Sequence, residues 1–448
     1  MNPAPAALAA VICLLTAATA PAGAATSAPA AAAPAAAAAT AAQAPPLRYT
    51  VQPGDTLQSI ALKALEDPED WRSLARRNAI ADPARLAPGS TILIPSQLLR
   101  REPVEAAIVA FSGAVKVEGD KARLGQAVAA GDLITTGPNS FVTLALGDGS
   151  RVTLPSQSRI RVDALDRIVL DGRLERRFQL ENGRGEFTVA PRQNPEDRFL
   201  VRTPVAVAAV RGTEFDIDTD GSDSIITVDE GVISSRSLDE DDDTETLLPA
   251  GRAALLDAGD QRQVAMLPRP ALTPQSRVGA GSDSLDLVIA PDTAPAHHVL
   301  LAHDAGFVDQ YAEAETTTQT ISFSDVPDGI VYARVRGVDA QGVAGLPADY
   351  AAVRGNAPAV RPTRFRWQPA EAGDRRYDLI VARDAQLADR VLEIEGLNAT
   401  EFTAEGLAAG VWYWRVTGRP ADGESGRVHV HPVRLLVIVP LDGPAMRR

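Results

Sequence analysis

The chain has a single cysteine, Cys13, and five histidines, all beyond residue 290, in 448 residues of which 4% are aromatic. One cysteine cannot build a disulfide framework, so the domains must hold by packing alone. Without an imidazole in the first 290 residues, that part of the chain has no histidine base to set beside a nucleophile. Lysine and arginine never cluster, and the net charge is −14. That balance argues against a nucleic-acid surface, which needs grouped cations, and mainly implies solubility. Beyond the amino end no apolar run approaches the ~18–20 residues that a membrane-crossing helix requires. The longest late run, Leu435 to Val439, has the length of a strand. What the chain does have is 33 prolines and 34 glycines, the punctuation of several small domains rather than one large enzyme core.

Residues 1–24 read as a secretory signal. An apolar run from Ala7 to Ala18 is followed by Ala22, Gly23 and Ala24 as a small-residue cleavage site, although no Lys or Arg precedes the run. Cys13 is a poor lipid acceptor, because Ile12 stands where a small residue is wanted. Residues 25–46, almost all Ala and Pro, form an extended linker.

From residue 47 to 97 the pattern is strand, helix, helix, strand. Tyr49, Thr50 and Val51 open as a strand that turns at Pro53-Gly54. Asp55 is placed to cap a helix, with Gln58 three residues later and Leu57, Ile60, Ala61 and Ala64 as its apolar stripe. Asp67-Pro68 announces a second helix carrying Trp71, Leu74, Ala75 and Asn78, and Pro88-Gly89 leads into the strand Thr91 to Ile94. The words YTVQPGDTLQSIA, the midway Trp71 and Asn78, and LAPGSTILIP closely resemble a LysM domain over the whole module. The resemblance implies binding of N-acetylglucosamine glycans, peptidoglycan above all. It places Gly54, Asp55, Thr56 and Leu57 on one side of a shallow groove and Asn78, Ile80 and Leu86 on the other. Capping accounts for Asp55 and Thr56 equally well, and core packing for Leu57.

Residues 105–260 alternate as an all-β region, with Asp148-Gly149 as a two-residue hairpin turn and a loose Gly-x-apolar-x-apolar repeat at Gly113 and Gly185. The densest pattern is Phe199 to Asp218. Phe199, Val201, Thr203, Val205, Val207 and Ala209 share one parity, as the inward side of one long strand. The parity slips at Arg211-Gly212-Thr213, after which Phe215 and Ile217 point in. The stretch TPVAVAAVRGTEFDI, with Gly131 to Gly137 and Leu146 to Ser150, resembles the extracytoplasmic FecR domain. That family's regulators relay a receptor's state through a membrane span to a sigma-factor-binding segment. This sequence shows neither, so the resemblance implies only an extracytoplasmic domain able to bind a protein or serve as a structural unit.

After a joint at 266–282 the chain repeats itself. His303 to Phe307 corresponds to Arg383 to Leu387, and Asp328 to Val335 to Ala409 to Val416, at an offset of about 80 residues. Alternation and turn spacing fit immunoglobulin-like sandwiches over 283–355 and 360–440, and the Tyr/Trp-x-Arg-Val strand resembles fibronectin type III. Trp412 and Trp414 read as buried core. The acidic stretches at Asp218, Asp220 and Asp223 and at Asp239 to Asp243 read as solvated loops rather than calcium sites. The pair His429 and His431 lacks a third ligand, so no metal or cofactor is expected. Arg211 reads as an ion-pair partner of Glu214.

The expectation is therefore a mainly β multi-domain protein: a small βααβ LysM-like module, an all-β FecR-like roll or sandwich, and two fibronectin-like sandwiches. Its expected role is non-catalytic, outside the cytoplasm, bound to peptidoglycan or a related glycan and presenting its β domains to an envelope protein. The alternatives are an accessory or activator of a cell-wall hydrolase, or a surface adhesin.

Overall fold

The computed structural model describes residues 46–438, apart from 193, 211, 239–244, 258, 274–276, 279–283, 328, 355–362, 368–373, 405–406, 408–409, 421–428 and 431–432. The signal and linker readings at 1–24 and 25–45, the acidic run Asp239 to Asp243, Arg211 and His431 lie outside the described residues. Strands dominate, and no helix among the described residues is long and apolar enough to cross a membrane.

The amino-terminal module pairs the strands Leu47–Thr50 and Thr91–Ile94 antiparallel, with helices Leu57–Ala64 and Trp71–Arg77 between them. Leu57, Ile60, Ala61, Leu74, Ile92 and Ile94 are all buried, so the apolar stripe of the first helix meets the inner side of the hairpin. The first helix begins one residue later than expected. Thr56, not Asp55, is the N-cap, and it makes a capping box with Ser59, not Gln58. Asp55 is committed elsewhere, since its carboxylate accepts hydrogen bonds from the Tyr49 hydroxyl and the Gln52 amide, both at 2.7 Å. Ile168 and Leu170 of the following domain complete this module's core. Arg100 N donates to Ala64 O at 2.7 Å, and the strand Arg101–Pro103 continues into the neighbouring sheet. The module is built into the rest of the chain rather than strung from it.

The central β body stacks two sheets around a core that includes Phe178, Phe187, Phe199 and Phe215. The 15-residue strand Leu174–Thr188 belongs to both. Its first half pairs in parallel with Arg198–Arg202, and its second half runs antiparallel to Glu214–Thr219. Gly183 is the pivot, at φ +82°, where a Cβ would stand 2.7 Å from the Gln157 carbonyl and the Ser158 Cα.

The stretch expected as one strand from Phe199 to Ala209 is two. Arg198–Arg202 and Ala206–Val210 form an antiparallel hairpin, Val201 opposite Ala208. Thr203 Oγ1 accepts from Ala206 N at 3.0 Å and caps the turn that Pro204 begins. The inward residues of the second strand are therefore Ala206, Ala208 and Val210, while Val207 and Ala209 face outward. Phe215 and Ile217 do point into the core.

The strands Phe141–Leu146 and Arg151–Leu154 are joined through Asp148-Gly149 as the sequence suggests, but the turn is longer than the two residues expected, since Leu146 N donates to Ser150 O at 2.9 Å across Gly147, Asp148 and Gly149. Its aspartate is buried, accepts from Ser150 N and Oγ, and is ion-paired with the buried Arg176. Beyond residue 284 the two repeats show the same strand order. In each, a strand from a small sheet (Leu285–Val288; Thr363–Arg366) is followed by a strand of the large one (Ala296–Ala302; Asp374–Ala382). The large sheets are one. Ala348–Arg354 pairs in parallel with Arg434–Ile438, giving a continuous nine-stranded sheet across both repeats. Trp412 and Trp414 are buried beneath it.

The buried Asp148–Arg176 pair generates a stability prediction. Asp148→Ala strands a desolvated guanidinium and should lower the free energy of unfolding by about 3–5 kcal/mol. A urea melt showing a loss below about 1 kcal/mol would show the pair to be dispensable.

Candidate functional site

The amino-terminal module brings its two expected loops together. Leu57 N donates to Pro83 O at 2.8 Å, and Val51 N to Ser90 O at 2.9 Å, so the turn at Gly54 and the segment after Asn78 are tied across the head of the first helix. Gly54 is exposed at φ +90° with open space around it, leaving bare backbone at the rim. Ile80 and Leu86 are half-buried, each with one side against the module core and the other toward solvent. These three have accessible surface to offer a ligand.

The other four are differently employed. Leu57 is fully buried in the core, and its side chain has no surface to present. Asn78 acts as a staple: its Oδ1 accepts from Leu93 N at 2.8 Å, and its Nδ2 donates to Leu74 O and Leu93 O, both at 3.0 Å. Asp55 holds Tyr49, whose hydroxyl is pushed up to about 12 by burial and by the hydrogen bond and charge of Asp55. Thr56 caps the helix, yet it and Asp55 remain half-exposed. The two loops are thus held in place by residues that the sequence pattern marks, most of which act from behind the loops. The Leu57–Pro83 tie, a backbone contact, has no side-chain signature that sequence reading could find.

A second polar assembly, which the sequence reading did not assign, lies between the central body and the first repeat. Arg336, 3% exposed, donates from Nη1 to Asp229 Oδ1 at 2.8 Å and to Gly345 O at 2.9 Å. Its Nη2 is 2.5 Å from Asp229 Oδ2 and 3.2 Å from Asp216 Oδ2. Glu186 accepts from Arg184 and from Gln310 Nε2, both at 2.8 Å. Glu313 takes His298 at 3.0 Å and the Ser156 amide at 3.1 Å. The available signal was the outward parity of Asp216 and Asp218, which reads equally as solvent exposure. Among the described residues no group of three or more His, Cys, Asp or Glu is placed to hold a metal ion. The turn at Asp220 is closed internally, its Oδ1 accepting from Ser222 N and Asp223 N.

Two classes of domain correspond to this architecture. Residues 49–95 match the LysM domain family, and residues 132–234 match the family described as FecR protein. No curated protein matches the chain. Among solved structures it is similar to a protein of Parabacteroides distasonis provisionally described as an anti-sigma factor, in two crystal structures. The identities are 18% and 17%, each match covers 30% of this chain and 59% of that one, and the TM-scores are 0.25 and 0.24. The chain therefore spans about three-fifths of the length of those proteins.

The junction carries a pH signature. Burial pushes the Asp216 carboxyl up to about 7; Arg336 draws it down, while Asp229 and Glu186 push it up again. Its ordinary value is 3.8. Between the two, the folded chain keeps a proton that the unfolded chain has lost, so this contribution to stability is full below 3.8 and gone once pH passes 7. Glu313 acts oppositely. Burial opposes its ionisation, but the His298 hydrogen bond and the charges of Arg184 and His298 outweigh that and hold it at about 2, so its contribution is lost only in acid. Asp216→Asn, a neutral stand-in for the protonated acid, should melt above wild type by a margin that grows by about 3 °C between pH 5 and pH 8. The same gap at both pH values would contradict the assignment.

Proposed function

We propose that the chain is a non-catalytic protein of the bacterial envelope that holds peptidoglycan, or a related N-acetylglucosamine glycan, through its LysM module. Its FecR-like domain and carboxy-terminal repeats then serve a protein partner in sensing or scaffolding. The observation that carries the glycan reading is the tied pair of loops, with bare backbone at Gly54 and half-exposed Ile80 and Leu86. A sugar ring offers an apolar face and acetamide groups, and the rim offers an apolar contact beside backbone hydrogen-bonding groups. Because the loops are held by the core, little ordering entropy is lost when a ligand enters. The two repeats, each with a small sheet against a larger one, support a fibronectin type III-like reading and the role of spacer and platform. The expected secretory segment at 1–24 supports a location outside the cytoplasm.

This reading refines the list of expected contact residues. Gly54, Ile80 and Leu86 are assigned to the ligand, Asp55 and Thr56 to the rim, and Leu57 and Asn78 to support. Removing the module by deletion is a poor test, since it would uncover Ile168 and Leu170. The double variant Ile80→Ala with Leu86→Ala is better. It should weaken co-sedimentation with purified sacculi about tenfold while the fold survives by circular dichroism. Undiminished sedimentation of the double variant would reject the groove, and release of soluble muropeptides by the wild-type chain would favour a hydrolase role instead.

A further inference from the structure

The outer face of the sheet that carries the hairpin Arg198–Arg202 and Ala206–Val210 is uncovered among the described residues. Register assembles it from five strands. Arg177, Leu200, Ala209, Ser234 and Leu247 lie opposite one another in one row, and Gln179, Arg202, Val207 and Arg236 in the next. Arg198 and Val232 flank these rows. Leu247 is 67% exposed and Val232 44%, side by side with the half-buried Leu200, Val207 and Ala209.

Four arginines lie on this face, beside two carboxylates, those of Glu175 opposite Arg198 and of Glu245 next to Ser234. Arg177, Arg198, Arg202 and Arg236 are all half-buried, and among the described residues none of them makes a side-chain hydrogen bond or an ion pair. Nε of Arg177 is buried outright with no acceptor. The acids carried by these strands are engaged: Glu245 accepts from Ser234 Oγ, and the buried Glu175 is taken by Arg101 and Arg173. In a chain with 58 acidic and 44 basic residues, four partly desolvated guanidinium groups with no ion pair among the described residues are unusual. Partial desolvation without an acceptor costs free energy that a partner's carboxylate would return. Arg202 and Arg236 stand two strands apart, about 10 Å, with Val207 between them.

We infer that this face docks a partner protein whose contact surface is an apolar strip edged with Asp and Glu. The apolar centre fits a protein better than a bare polyanion, which would leave Leu247 and Val232 wet. The planar guanidinium fork is suited to bidentate carboxylate recognition. A second copy through the same face would set arginine against arginine, so self-association there is disfavoured. The inference rests on the reading that the β domains serve a protein partner, and is independent of the glycan groove.

The test is site-specific photocrosslinking of the full chain in its own cells, with p-benzoylphenylalanine replacing Leu247, and with the same replacement at the exposed Leu124, off this face, as control. The expected result is a protein adduct at position 247 and not at 124, joined through a segment rich in apolar and acidic residues. Arg202→Glu with Arg236→Glu should cut that yield about tenfold, and Arg202→Gln with Arg236→Gln should cut it less, with sacculus co-sedimentation unchanged in both. Equal yields at 247 and 124, an adduct indifferent to the arginine variants, or an adduct to lipid, glycan or a second copy would overturn the inference. Loss of sedimentation in the groove variant would leave it untouched, so the two readings fail separately.

Discussion

Arg336 is the constraint on which the arrangement of the β domains depends. It sits on a strand of the first repeat, is 3% exposed, and meets Asp229 and Asp216 of the central body. A guanidinium taken out of water needs its acceptors in place, so breaking this contact would leave a buried cation and the Asp229 carboxylate uncompensated. The polar contacts around it follow the same line: Gln310 to Glu186, Arg151 to Gly306 O at 2.9 Å, and Thr143 to Val308 O at 2.7 Å. Phe141 of the central body joins the apolar cluster containing Phe307 and Trp414. The repeats are thereby fixed against the central body, and the shared nine-stranded sheet fixes the repeats against each other. At the other end, Ile168 and Leu170 lock the LysM module to the same body.

That rigidity bears on function. A glycan held at the LysM groove would orient the outer sheet face and the repeats as well as tether them, because no long linker intervenes between the module and the strand Arg101–Pro103. Orientation favours a scaffold or a sensor of spacing over a loosely tethered domain. The pH response of Asp216 lies in the same junction, where two carboxylates share one guanidinium.

Much of the fold was legible in the sequence. The apolar spacing of Leu57, Ile60, Ala61 and Ala64 located the first helix, and Asp148-Gly149 located a hairpin, because both signals are local and periodic. Thr56 replaced Asp55 as cap because Asp55 is drawn to Tyr49, a contact across a turn that spacing does not reveal. The single long strand expected at Phe199 to Ala209 was a hairpin: the Thr203 hydroxyl accepts from Ala206 N and closes a turn at Pro204, a contact that shared parity does not reveal. The residues expected at the groove come together as two tied loops, and which of them would touch a ligand was not legible, since capping and binding call for the same small polar residues in the same place. The junction around Arg336 was out of reach, because its members come from strands more than a hundred residues apart and look individually like solvated charges.

The central claim is that the tied loops of the LysM module receive an N-acetylglucosamine glycan. Ile80 provides a direct reporter. In the full chain with labelled isoleucine methyl groups, titration with a chitin oligosaccharide should shift the Ile80 signal saturably, while those of the buried Ile60, Ile92 and Ile94 stay nearly still. An Ile80 signal that does not move at saturating sugar, or one that moves no more than those core methyls, would contradict the account.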